Sequence, residues 1–268
     1  MDCTLILPWG KGEKPEEGSF PIIGWANGWG WNEVQGEDEI DGYKPGLIDW
    51  AVKGQFIVIA ANQWSPRERD VLQCVAWLVE ESDYSNLISK NDDGFPVIGL
   101  SGHSQGWGAV LRAADGKPKG KGLGLDLDIT TVIAMNPYGP SWNEVNPDGP
   151  VLIVGGAKDT TTPPDSYEKA WRRIITGESG GINAMLEDGD HNNNAWVHGE
   201  SGYFDEDDSP IPCLPEESNF GNYQELTLEW WLIYLRGKSS DVFCFSLGDE
   251  LWLQVDSTFP DCPSSIDN

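Results

Sequence analysis

Residues 98 to 109, IGLSGHSQGWGA, put one serine between two glycines directly behind a short apolar run. Where such a G-x-S-x-G pattern, here Gly102-His103-Ser104-Gln105-Gly106, joins a strand to a helix, the sharp turn lifts the serine oxygen above the sheet. A serine hydroxyl is a poor nucleophile at neutral pH. It needs an imidazole to accept its proton and a carboxylate to orient that imidazole. The chain has three histidines. His103 lies on the turn itself with its side chain directed away, and reads as a packing residue. His191, in LEDGDHN, follows an apolar run in the C-terminal third and is the expected base, while His198 sits in a polar loop and is the weaker candidate. The carboxylate should stand at a strand end between serine and base. VLIVGGAKDTTTPP ends its apolar run in Gly-Gly and presents Asp159 just beyond it.

These three residues can meet only if the chain brings several strand ends together. QFIVIAAN, residues 55 to 62, is a continuous apolar run of strand length, as expected for a strand covered on both faces. SPRERDVLQCVAWLVEES then reads as an amphipathic helix, with Ser65 as N-cap and Pro66 at its first position. The alternation continues: strands in FPIIGWANG, FPVIGLSG, ITTVIAMNP, GPVLIVGGAKD and GINAMLEDGDH, helices in SQGWGAVLRAA, PDSYEKAWRRII and NYQELTLEWWLIYLRG. Strands alternating with helices imply an α/β fold, a mostly parallel sheet with helices on both faces. Its sites lie beyond the carboxyl ends of the strands. The order Ser104, Asp159, His191 is that of the α/β-hydrolase arrangement.

With 268 residues the chain is long enough for one α/β domain spanning 1–268. The formal charge of −27, from 44 acidic and 17 basic side chains, argues against nucleic acid or an anionic membrane as partner. The acidity serves solubility and also suits a saline habitat. It is scattered, and 14 tryptophans supply apolar bulk, so the chain is no disordered polyanion. There is no apolar run of membrane-spanning length, and with no signal-peptide pattern at the start the expectation is either a cytosolic chain or a mature form with an added Met. The five cysteines, at 3, 74, 213, 244 and 262, form no CxxC pair, so zinc is not expected.

FPIIGWANGWG, GLSGHSQGWGA, GPVLIVGGAKDTTTPP and LEDGDHN resemble segments of the cutinase-like polyester hydrolases and related dienelactone-hydrolase-type esterases, over about residue 20 to the C-terminus. The resemblance implies an α/β hydrolase with no large separate lid domain, acting on ester or polyester substrates through an acyl-enzyme and without a cofactor; a monomer without a bound metal is expected. It implies backbone N–H groups of Gln105 and Trp29 as the oxyanion hole, and Trp29 and Tyr138 as aromatic residues of the substrate cleft. Trp107 departs from the family's run of glycines and would either alter helix packing or narrow the cleft. Residues 192 to 222 are longer than the corresponding loop of compact cutinases. They could cover part of the cleft, and the run Asp205 to Asp208 offers calcium ligands, although a solvated face is the commoner fate of such runs.

Cys244 and Cys262 match the resembling family's C-terminal disulfide, which implies an oxidising compartment and hence secretion with the signal removed. Cys3 and Cys213 are available for a second bridge, and Cys74, inside a helical pattern, is expected to be a buried free thiol. A carboxylesterase or lipase for small soluble esters shares the same triad. A non-catalytic binding protein on this fold would normally have lost one of its members.

Overall fold

The computed structural model describes residues 2–10, 15–28, 40, 43–63, 66–115, 127–138, 145, 147–166, 171–172, 174, 180–189, 191, 220–240 and 252–257, with backbone alone for 220–222 and 252–257. Eight strands form one sheet: β1 (Cys3–Ile6), β2 (Ile22–Ala26), β3 (Ile57–Ala61), β4 (Ile98–His103), β5 (Ile129–Met135), β6 (Val151–Gly156), β7 (Gly181–Leu186) and β8 (Trp252–Ser257). Their spatial order is β1-β3-β2-β4-β5-β6-β7-β8. From β3 to β7 every pairing is parallel, while β1 and β8 close the two edges antiparallel.

The continuous apolar runs have the expected cause. Along β3, Ile57, Ile59 and Ala61 belong to one core and Val58 and Ala60 to the other. Successive side chains of a strand point to opposite faces, so a strand covered on both sides has no polar position to spare. One face carries α1 (Lys44–Gly54) and the C-terminal helix α4 (Phe220–Arg236), through Leu47, Trp50, Tyr223, Trp230 and Trp231. The other carries α2 (Glu68–Glu80) and α3 (Gly106–Ala114), through Val71, Val75, Leu78, Trp107 and Val110. This is the α/β-hydrolase topology.

The crossovers place the site. The chain moves one way from β2 through α1 to β3, then back past β2 through α2 to β4, and onward through α3 to β5. Right-handed crossovers in opposite directions must use opposite faces, which is why α1 and α2 are separated by the sheet. The carboxyl ends of β2 and β4 therefore lie side by side at the point where the chain reverses direction across the sheet, which is where sites of such sheets are found.

Three elements escaped the sequence reading. Pro45 and Gly46 look like breakers, yet Pro45 lies in the first turn of α1, where its missing N–H costs no helical bond. The edge strands β1 and β8 lie outside the parallel alternation. Helix α2 starts at Glu68 rather than at Pro66, with Arg67 as N-cap. The carboxylate of Asp70 accepts the Arg67 backbone N–H at 2.8 Å and so satisfies the helix start at that point; Ser65 is outside the described residues.

The cysteine expectation needs correction. Cys74 is not a free thiol but is bridged to Cys3, with Cα atoms 6.0 Å apart, so Cys3 is not available to Cys213. The helical face that buries Cys74 packs under the edge where β1 runs beside β3, a proximity that 71 residues of separation hide from the sequence. Cys213, Cys244 and Cys262 lie outside the described residues.

Candidate active site

Ser104 follows the last residue of β4 and has φ 51°, in the left-handed region that costs a non-glycine residue energy. Two glycines make the turn possible. A Cβ on Gly102 would stand 2.5 Å from the Gly106 carbonyl carbon, and one on Gly106 would stand 2.2 Å from the Ala26 carbonyl oxygen. Both contacts are with backbone, which cannot step aside. The turn is also tied to the next strand, since the Ser104 N–H donates to the Met135 carbonyl at 2.9 Å and the Tyr138 N–H donates to the Ser104 carbonyl at 3.2 Å.

The loops after β6 and β7 bring in the partners. His191 Nε2 lies 3.1 Å from Ser104 Oγ, and His191 Nδ1 lies 2.8 Å from Asp159 Oδ2. An ionised carboxylate accepts, so Nδ1 carries the ring proton and the Nε2 lone pair faces the serine hydroxyl. Asp159 is buried. Its Oδ1 accepts the backbone N–H groups of Thr161 at 2.8 Å and Thr162 at 2.7 Å, and its Oδ2 accepts the Thr162 hydroxyl at 2.5 Å and the Asn136 amide at 3.0 Å. Burial alone would raise this carboxyl. The hydrogen bonds from His191 and Thr162 outweigh it and hold the group at about 2, so it stays anionic.

Ser104, His191 and Asp159 thus stand in the hydrogen-bonded arrangement of a serine-hydrolase triad, assembled from the ends of β4, β6 and β7. Asn136 and Thr162 are participants that sequence reasoning missed. Asn136 has φ 44° at the end of β5, and its amide reaches both Asp159 and, at 3.4 Å, the His191 carbonyl. Their places in the sequence, Asn136 closing the run ITTVIAM and Thr162 in the TTT that follows Asp159, mark strand ends but not the partners met there.

Gln105 is the N-cap of α3, where backbone N–H groups point out along the positive end of the helix. Tyr138 is 45% exposed, and its carbonyl accepts the indole N–H of Trp107 at 2.9 Å. The Trp107 ring itself is fully buried against the sheet. It therefore belongs to helix packing and ties down the Tyr138 backbone, instead of projecting into a cleft. His103 is buried, and its ring nitrogens hydrogen-bond the Tyr43 hydroxyl at 2.8 Å and the His191 carbonyl at 3.1 Å, so it is a hydrogen-bonded residue and not the mere packing residue expected. Trp29, His198 and the run from Asp205 to Asp208 lie outside the described residues. Among the described residues, no group of three or more His, Cys, Asp or Glu side chains could hold a metal, and no helix is long and apolar enough to cross a membrane.

Compared with known proteins, the chain matches no family model and no curated protein sequence. Its assignment to the α/β-hydrolase class therefore stands on the sheet topology and the triad geometry. The narrower likeness to cutinase-like polyester hydrolases stands on the motifs alone.

Proposed function

We propose that this chain is a carboxylic ester hydrolase of the cutinase or polyesterase kind, working through an acyl-enzyme. The observation that carries hydrolysis is the unbroken path from Asp159 through His191 to Ser104, with contacts of 2.8 and 3.1 Å. Ser104 Oγ attacks the ester carbonyl carbon while His191 Nε2 takes its proton. The tetrahedral oxyanion collapses, the alcohol leaves with that proton, and the serine is acylated. Water then attacks the acyl carbon with His191 again as base, releasing the acid and restoring the hydroxyl.

The negative oxygen would be met by the N–H of Gln105, whose place at the start of α3 supports the role, and by that of Trp29. Each such donor is worth about 3 kcal/mol. The exposed ring of Tyr138, on a backbone bonded to Ser104 itself, supports an apolar resting place for an acyl or aromatic group. The Cys3–Cys74 bridge supports an oxidising compartment and hence secretion, as would a Cys244–Cys262 bridge.

A hydrolysis panel from short p-nitrophenyl esters to an insoluble polyester film, with Ser104→Ala as control, tests this reading. Film turnover that disappears in Ser104→Ala is expected. Turnover of short esters alone moves the substrate to small soluble esters, and no turnover together with no labelling by a fluorophosphonate overturns hydrolysis.

A further inference from the structure

We propose that Tyr43 and His103 are positioning residues, a buried hydrogen-bonded strut that fixes the catalytic His191 backbone and the turn after β2 relative to each other. The inference rests on the serine-hydrolase reading of Ser104 and His191, and it assigns work to two polar side chains that the triad does not use.

The strut has only one consistent direction. The Gly28 N–H donates to the Tyr43 hydroxyl oxygen at 3.1 Å, and that hydroxyl lies 2.8 Å from His103 Nδ1. With its oxygen accepting from Gly28, the hydroxyl sends its own proton to Nδ1, which makes Nδ1 an acceptor. The imidazole proton is then on Nε2, and Nε2 lies 3.1 Å from the His191 carbonyl oxygen, which can only accept. Every donor in the path points the same way, from the turn after β2 to the loop after β7, so each bond polarises the next.

The protonation states agree with that direction. Tyr43 and His103 are buried, and burial pushes the phenol up, which keeps its proton available. Burial, with repulsion from His191 second, lowers His103 to about 3, so its ring is neutral wherever esterases work. Neutrality matters because the two imidazole rings are 4.8 Å apart. A charged His103 would oppose the imidazolium that His191 becomes during attack.

The close approach is built in. A Cβ on Gly28 would meet His103 Nδ1 at 2.9 Å, Ser104 Cβ at 3.0 Å and the Tyr43 hydroxyl at 3.0 Å. A bare glycine over the nucleophile thus lets one phenol reach both the turn and the imidazole. Tyr43 is the residue that caps α1, which gives that helix a duty at the site.

Tyr43→Phe keeps the ring against Trp25, 5.0 Å away between centroids, and removes only the hydroxyl. His103→Leu removes both ends of the imidazole link, and His103→Gln restores an amide N–H able to reach the His191 carbonyl. Each would be read by kcat and KM on a short p-nitrophenyl ester, by melting temperature, and by the downfield proton resonance of His191 Nδ1–H, identified by its absence from His191→Ala. In Tyr43→Phe and His103→Leu we expect kcat to fall about 10- to 100-fold with KM within about twofold, and the Nδ1–H resonance to broaden, because a small misplacement of the base costs rate and not binding. His103→Gln should recover most of the loss in rate and the sharp resonance.

Unchanged kcat and resonance in folded Tyr43→Phe and His103→Leu would overturn the strut, as would His103→Gln behaving like His103→Leu. Should the native protein hydrolyse no ester while the resonance still responds to these substitutions, the hydrolase reading fails and the strut stands.

Discussion

The hydrogen bonds around Asp159 decide what single substitutions should do. Its carboxylate takes two backbone N–H groups on one oxygen and His191, Thr162 and Asn136 on the other. Asp159→Asn would replace an acceptor by an amide that can turn an N–H toward His191, spoiling the tautomer, and kcat should fall on the order of 10⁴-fold with the fold retained. Ser104→Ala and His191→Ala should each abolish ester turnover without unfolding the protein, and His198→Ala should remain active. A dead His198→Ala beside an active His191→Ala would reverse the assignment of the base.

His103 gives a pH prediction at the same scale. Its folded value of about 3 lies below the ordinary 6.5, so between those limits the unfolded chain holds a proton that the folded chain refuses. Stability therefore rises with pH across that window, by up to about 1.4 kcal/mol per unit, is complete above the unfolded value, and is lost as pH falls toward the folded one. Asp159, lowered to about 2, has the same sign and adds its loss below the ordinary carboxylate range. The urea midpoint should fall between neutral and mildly acid pH more steeply in the native protein than in His103→Leu. Equal slopes would assign the acid loss to other groups.

Among the elements, the elbow was the most legible because steric necessity writes itself into composition. Only glycine fits at 102 and 106, and the strand before and helix after them are strongly apolar. Gly106→Ala should cost about 3 kcal/mol by forcing the first turn of α3 off β2, whereas Gly94→Ala, with φ 87° and nothing within 4 Å, should cost only about 1 kcal/mol. Denaturant midpoints at equal slope measure both. The Cys3–Cys74 bridge is the opposite case, since a pairing between an edge strand and a helix leaves no local mark. It closes a loop of 71 residues and pins β1 to α2, so a chain-entropy estimate gives about 4 kcal/mol. Reduction, or Cys3→Ala with Cys74→Ala, should lower the melting temperature with the triad intact. An unchanged melting temperature would mean that β1 is held by its ladder with β3 alone.

At the scale of the whole molecule, topology was legible because period and order are sequence properties. The triad order was legible too, because strand ends follow the chain. Tyr43, Asn136 and Thr162 were not, since their roles exist only once α1, β5 and the β6 loop converge. Net charge is the other global property readable directly, and it carries a prediction of its own. With 44 carboxylates against 17 basic side chains, 27 acidic groups have no basic counterpart on a one-to-one count. Ion pairs such as Lys53–Asp49 and Arg112–Glu68 are partly exposed, and salt would weaken them by less than about 1 kcal/mol each. Repulsion among the excess carboxylates acts over the whole surface and is relieved as the screening length shrinks from about 30 Å at 0.01 M to about 3 Å at 1 M salt. The relief should exceed the loss, so the melting temperature should rise monotonically with NaCl across that range. Chloride is the right anion for the test because sulfate would also strengthen apolar burial. A steady rise, largest at the low-salt end where screening changes the long-range field, would identify the acidity as a cost that a saline medium removes. A flat or falling curve would show that the carboxylates are spaced widely enough to be neutral toward folding, and would leave solubility as their whole effect.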